Sequence, residues 1–469
     1  MTTDIKIFEE ERYKNLIASM RPTPSFALIT GALLVGLGIG GLGYLMQLLE
    51  GLQVTNLNYR RFWGLYLVNF VFFIGISHAG TLISAILRVS GAGWRAPVTR
   101  MAEAITVFSL IVGASMILID MGQVFRIHHI VMYFNITSPI VWDFLSVTTY
   151  LFGSMLFLFL PMIPDNGLLR DYYKHQIEMT GADASLGIRI RYGFHKILAL
   201  NWKGTETQVK RLEKGVKIMS LCIIPIAVSV HTVVSFIFSM HWRPGWHSTI
   251  FGPYFVVGAI FSGIAGLLVA MALFRKMYHL EEFITPKQFN NLALLLLVFA
   301  LMYVYFTVAE YLTVSYGAHT EEAEVLQQLY YGQYAWGFWT FLIPGLIIPI
   351  FMLAIPKTRH SVFWVTVASI LINIGMYVKR FIIVVPALTN PVFSEDYLTY
   401  NPTWVETGIT LAGLCGFILL YIVFSKLFPI VAIYEVHEYE EEMKKHAEME
   451  KLYDKEHGTS VSGSVTATD

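Results

Sequence analysis

A polytopic α-helical membrane protein is the fold class this sequence predicts, and three observations predict it. Hydrophobic residues fill 55% of its 469 positions and charged residues only 14%, where a soluble chain carries about 25% charged residues. Mean hydropathy is +0.57. Apolar runs long enough to cross a bilayer, about 20 residues each, recur between charged punctuation near 26–49, 62–87, 101–125, 140–163, 216–240, 250–274, 290–315, 334–355, 361–386 and 406–428. That makes ten spans.

Other classes fall away quickly. The formal net charge is zero, so no basic field points to nucleic acid. The opening MTTDIKIFEEERYKNLIASMRP has no short apolar core before a small-residue cleavage site, and no removable signal peptide is expected. Cys222 and Cys415 both sit inside apolar runs. Two such cysteines build neither a disulfide framework nor a thiolate metal cluster, so no metal site is expected in this chain.

Lys and Arg are spread unevenly over the connections. Lys6, Arg12, Lys14 and Arg21 precede span 1, and Arg88, Arg95 and Arg100 surround the 2–3 loop. The 4–5 connection is basic from Arg170 to Lys214, and Arg275, Lys276, Lys287, Lys357, Arg359 and Lys426 follow on the same side. The opposite loops hold only Arg60, Arg61, Arg126 and Arg243, with acidic Glu321, Glu322 and Glu324. The positive-inside rule therefore predicts cytoplasmic termini. Residues 165–214 mix charge with Leu, Ile, Tyr and Trp202, as amphipathic helices on that face would. The Ser/Thr/Gly-rich end is expected to be disordered after a charged helix.

Spans 2–5 and 6–9 read as two copies of one four-helix unit. GLYLVNFVFFIGI (64–76) aligns with GPYFVVGAIFSGI (252–264), WDF (142–144) with WGF (336–338), and SVHTVV (229–234) with YVKRFI (377–382). Four helices separate each pair, so the repeat is parallel. The expected organisation is an N-terminal segment (1–25), a first span with its loop (26–61), a first bundle (62–240), a second bundle (241–388), a loop with the last span (389–429), and a charged helix with its tail (430–469).

A charge deep in a bilayer costs roughly 2.5 kcal/mol or more, so polar residues inside spans need a partner or a job. Asp120 lies near the outer end of span 3 and Asp143 opens span 4 at a similar height. An interfacial carboxylate meeting water would also explain the first, and a helix-end acid favoured by the dipole the second. His78, in GISHAG, is read as lying past the midplane; His231 falls in the outer half of span 5, which Pro225 weakens. Either histidine alone would be ordinary packing, but two histidines and two acids on four successive helices converge. Glu310 on span 7 is the natural counter-ion for Lys379 and Arg380 on span 9, as a structural pair or part of a proton pathway. His128 and His129 belong to an outer loop, where they would flank a site mouth.

Such a constellation suits proton-coupled redox chemistry. A quinol loses two protons with two electrons, and histidine or a buried carboxylate accepts protons near neutral pH. The outer placement of Asp120, Asp143 and His231 puts the head group near the extracytoplasmic side, with His78 continuing a proton route. Haem fits less well, because axial histidines need matching heights. A secondary transporter would show broken helices, and no span shows them clearly.

RPGWHSTIFGPYFVVGAIFSG (243–263), FWGLYLVNFVFFIGISHAGTLISAILR (62–88) and PIAVSVHTVVSF (225–236) resemble the NrfD/PsrC family of polysulfide-reductase-like, quinone-interacting membrane subunits. Ten spans and long ends make the chain most similar to the ActC-type subunit of bacterial alternative complex III, with the ActF type as the alternative. The resemblance implies quinol oxidation in the first bundle near the periplasmic face of the bacterial inner membrane. It implies quinone, with menaquinone expected, as the bound species, and neither haem nor an iron–sulfur cluster on this chain. The expected partners are a periplasmic iron–sulfur or molybdopterin-like subunit, a second NrfD-like membrane subunit, and c-type cytochromes.

Overall fold

The computed structural model describes residues 7–317, 320–390 and 398–457, and these are helical with no strand among them. The expected disordered end lies in 458–469, outside the described residues, as do residues 391–397 of the loop before the last span. Among the described residues, ten helices are long and apolar enough to cross a membrane. That is the architecture a bilayer enforces, since each helix satisfies its own backbone where no water is available.

A short helix α1 (Glu11–Ser19) precedes the first span α2 (Pro24–Glu50). The next four spans are α3 (Leu65–Val89), α4 (Ala96–Asp120), α5 (Pro139–Phe159) and α8 (Glu206–Ser239). Between α5 and α8 the basic connection folds as α6 (Met162–Thr180) and α7 (Leu186–Leu198). The remaining spans are α9 (Phe251–Met277), α10 (Pro286–Gly317), α12 (Ala335–Ala354), α13 (Val362–Thr389) and α14 (Trp404–Leu427). A short α11 (Thr320–Tyr330) sits before α12, and α15 (Ile433–His457) follows α14.

Helix starts follow local chemistry. Proline occupies the first turn of α2, α4, α5 and α10, where its missing N–H has no helical partner to lose. Thr403 and Glu406 form a reciprocal capping box on α14. Thr205 caps α8 by accepting from Gln208 N, so the charged turn ETQVKRLEKG continues the helix about ten residues before the expected start at 216.

Small residues set the closest approaches. A Cβ on Gly80 would overlap the carbonyl oxygen of Ala102, so the backbones of α3 and α4 touch there. Gly40 of α2 meets Gly408 and Ala412 of α14 in the same way. Without a hydrophobic drive between helices in lipid, such close packing supplies the adhesion. α3 also packs on α8 and α9, α5 on α4 and α8, while α9 contacts α10 and α13, and α13 contacts α12. The α3–α9 contact joins the two halves.

The basic face is tied down by ion pairs. Arg100 and Asp165, both fully buried, pair directly, and Asp165 also accepts from the backbone N–H groups of Ile433 and Tyr434 at the start of α15. Glu435 bridges Arg88 at 2.9 Å and Arg95 at 2.8 Å. Burial works against ionising Glu435, but Arg88 and Arg95 outweigh it and hold its carboxyl below the usual range. Arg12 of α1 completes the set with a two-pronged contact to Glu440.

Removing one partner of a buried pair leaves an uncompensated charge. Asp165→Ala is expected to lower stability by roughly 3–5 kcal/mol, read as a drop in thermal-unfolding midpoint in detergent; an unchanged midpoint would mean that Arg100 finds another acceptor. Burial, with Glu213 and Glu442 nearby, pushes the Glu438 carboxyl up to about 7. Its contribution to the docking of α15 is present below its ordinary value of 4.5 and is lost as pH rises through about 7. Protease nicking of α15 should increase over that window, and Glu438→Gln should flatten the rise.

Candidate functional site

The polar interior of the first helix set gathers on one face of each helix. On α5 the buried positions Asp143, Val147, Tyr150, Ser154 and Phe157 recur at helical spacing, so Asp143 and Tyr150 share a stripe facing α4 and α8. On α8 the buried set includes Ala227, Val230, His231, Val234 and Ser235.

His78 and His231 meet. Both are fully buried, and their ring centroids lie 3.8 Å apart with planes inclined at 60°. This corrects the expectation that they sit at different depths. With outer meaning only the side opposite the basic face, His78 lies thirteen residues inside the outer end of α3 and His231 eight residues inside the outer end of α8. Their contact therefore means that α3 reaches outward beyond α8 by about five residues, roughly 7 Å.

The hydrogen bonding around the pair is unequal. His78 places Nδ1 3.1 Å from the Ile74 carbonyl and Nε2 against the Ala227 carbonyl. Two acceptors face a ring that carries one N–H when neutral and two when protonated, so a proton taken up here finds its hydrogen bond already placed. Among the described residues, His231 has no partner on either ring nitrogen, and Asp143 none on Oδ1. Buried polar atoms are usually paired, by protein or by water, and those that are not call for an explanation.

A polar column continues from His78 toward the basic face. Tyr150, whose ring lies 5.1 Å from that of His78, donates to the Ser77 carbonyl. Thr106 donates to the same carbonyl at 2.6 Å and accepts from Thr81 N at 2.8 Å. Further along, Ser84 donates to Glu103 at 2.6 Å, and Glu103 pairs with Arg88, which also holds Glu435. Sequence reasoning missed Tyr150, Thr106 and Glu103. The signal was present: Ser77, Thr81 and Ser84 on one helix and Thr99, Glu103 and Thr106 on the next both follow i, i+4, i+7 spacing.

The other expected residues lie apart. Asp120 is half-buried at the outer end of α4, close enough to interact with Glu406 of α14, beside a cluster in which Tyr66 donates to Gln47 and Gln47 to the Ile119 carbonyl. His128 and His129 are exposed in the outer loop, their rings in contact with one another.

In the second set the expected ion pair is corrected. Among the described residues, neither Lys379 nor Arg380 lies within ion-pairing distance of Glu310. Lys379 donates to the Tyr311 hydroxyl at 2.8 Å, and its ammonium lies 4.7–5.3 Å from the ring centroids of Tyr311, Phe341 and Tyr254. An aromatic cage stabilises a desolvated cation through the ring faces. Glu310 turns instead to the outer loop, accepting from Ser248 at 2.6 Å. One residue on from Lys379, Arg380 points toward α3, where a Cβ on Gly75 would lie 3.3 Å from its Nη2.

That outer loop carries the PGWHSTIF stretch. Gly245 takes φ +83°, a left-handed turn that side chains disfavour. Trp246 is fully buried against Trp63 and Phe238, and donates to the Ile383 carbonyl at 2.7 Å. The motif is thus a pinned loop that sets Ser248 over Glu310.

A family profile described as "Polysulphide reductase, NrfD" matches residues 53–391. The chain belongs to the NrfD family. The match runs from the loop before α3 to just past the end of α13, so both helix sets fall inside it. The C subunit of selenate reductase from Mesobacillus selenatarsenatis is 25% identical over 84% of this chain and 91% of its own length. The Hdr-like menaquinol oxidoreductase integral membrane subunit of Archaeoglobus fulgidus is 25% identical over 86% and 94%. A Halobacterium salinarum protein assigned as the C membrane subunit of a dimethyl sulfoxide reductase is 26% identical over 73% of each chain.

The cage leads to a paired prediction. Tyr311→Phe removes the acceptor for a buried ammonium and should cost about 1.5–3 kcal/mol. Lys379→Met keeps the volume, removes the charge, and should be neutral or stabilising. Thermal unfolding of both variants in detergent checks this, and a large loss in Lys379→Met would show that the cation has a further partner.

Proposed function

We propose that this NrfD-family chain is the quinol-oxidising membrane subunit of a respiratory oxidoreductase complex of the alternative complex III type. The observation that carries the reading is a buried carboxyl and a buried imidazole left incomplete in the first helix set: among the orphaned atoms there, Asp143 Oδ1 and the two ring nitrogens of His231 belong to a buried acid and a buried histidine. A quinol supplies two hydroxyl groups and so satisfies such atoms. The name of the Archaeoglobus relative, a menaquinol oxidoreductase subunit, favours menaquinol as the substrate.

Oxidation removes two electrons and two protons from the quinol. In this reading His231 accepts the hydrogen bond of one hydroxyl and Asp143 that of the other, each taking a proton as the electrons leave. His78 is the next group inward, its ring against that of His231 and its nitrogens facing two carbonyl oxygens, and it takes the proton once the rings turn to bring a nitrogen of each within hydrogen-bonding reach. Asp120 acts as the acceptor at the outer rim beside Glu406, and His128 and His129 mark the mouth. The electrons go to a periplasmic iron–sulfur or molybdopterin-like subunit, with c-type cytochromes and a second NrfD-like subunit in the same complex. Glu310, Lys379 and Arg380 form a separate proton-handling group in the second set.

The uneven Lys and Arg distribution supports cytoplasmic termini, in a bacterial inner membrane. The two helix sets, 62–240 and 241–388, are read as a duplicated unit. A sister subunit that only moves protons is the second reading, and the orphaned atoms in the first set favour the quinol site over it.

Asp143→Asn keeps shape and removes the proton acceptor. In the assembled complex it should lower quinol:acceptor turnover by about 100-fold or more, with the composition of the complex unchanged. Wild-type turnover in that variant would sink Asp143 as an acceptor.

A further inference from the structure

Outside the His78–His231 region, a cavity opens between two spans. This cleft of about 580 Å³ lies between the outer ends of α8 and α10 under the pinned loop, within the range of roughly 300–1,000 Å³ typical of small-molecule sites. Phe236 and Met240 of α8, Ile250, and Val314 of α10 give it apolar walls. Its polar end is His247, Ser248, Thr249 and Glu310. Phe236 and Met240 lie on a different face of α8 from the buried His231, Val234 and Ser235. The cleft is therefore separate from the site assigned above.

Glu310 decides what the cleft holds. It is buried, with Oε2 accepting from Ser248, and it also lines a small inner cavity with Lys379, Tyr254 and Tyr311. Among the described residues, neither lysine nor arginine lines the cleft, so a phosphate would face a carboxylate with nothing to neutralise it. A carboxylate flanked by hydroxyls and an imidazole instead receives a neutral group that donates hydrogen bonds. The apolar walls between two spans suit a chain that stays in the bilayer.

We propose that this cleft is a second head-group site for a lipid-soluble hydroquinone, with Glu310 accepting a hydrogen bond from one ring hydroxyl. It rests on the quinol reading above and extends it to the boundary between the two helix sets, where incoming quinol would be held before or beside the first site. Binding alone is proposed here.

Photoaffinity labelling tests it on the intact complex, using a short-chain azido-naphthoquinol and peptide mapping by mass spectrometry. Label is expected on residues 236–250 and 309–314, competed by unlabelled short-chain naphthoquinol. Glu310→Gln should cut that label about tenfold or more while leaving label near Asp143 unchanged. Thr313→Trp, which fills the cleft from an exposed position, should remove the label in the same way if Glu310→Gln fails to assemble. Label confined to the Asp143 region overturns the cleft and spares the first site. Label confined to the cleft overturns the first site, and label at neither overturns both. Cleft label competed by phosphatidylglycerol but not by naphthoquinol makes the occupant a phospholipid and overturns the proposal.

Discussion

Inside a bilayer there is no water to hydrogen-bond, and every polar group in this molecule answers to that constraint. Most answer by pairing. Arg100 with Asp165, Arg88 with Glu103 and Glu435, and Lys379 within its aromatic cage each bring a charge into apolar surroundings with its partner supplied. Other buried atoms among the described residues also lack a partner, but Asp143 and His231 differ from them in being a buried carboxyl and a buried imidazole left incomplete.

The two helix sets solve the same burial problem differently. Where the sequence alignment of the two sets would place His231 opposite Lys379, the first set carries a titratable ring beside another histidine and the second a caged ammonium. Where it sets Asp143 opposite Gly337, the second set fills the space with apolar packing, the glycine lying close to the Ile382 side chain. One set leaves a buried carboxyl and imidazole without full hydrogen bonding. The other surrounds its buried ammonium with aromatic rings and a tyrosine hydroxyl.

The fold was legible because a membrane reduces the code to length, apolarity and the placement of charge. Ten spans followed from those alone, and capped charged turns such as the start of α8 shifted only the ends. The site was legible in part. Asp143, His78 and His231 emerged as polar residues in apolar runs, but their relative heights did not, because helix ends at a membrane surface are not level. Glu103 was hidden because it falls close to where its span was expected to begin and so looked like helix-end punctuation. Lys379 was assigned the nearest acid by helix order, whereas its actual partner, Tyr311, carries no charge to announce it. Threonine and serine stripes are similarly quiet, since each residue alone is ordinary in a transmembrane helix.

The docking of α15 bears on the order in which the chain is made. Arg88, Arg95 and Arg100 enter the membrane surface with α3 and α4, early in synthesis, while Glu435 and the backbone N–H groups that Asp165 binds emerge more than 300 residues later. Until then the first helix set carries cations and an acceptor awaiting partners at its basic face. The last helix thus acts as a clasp, and a nascent chain stalled before it would present an open, charge-bearing end to the quality-control machinery of the cell.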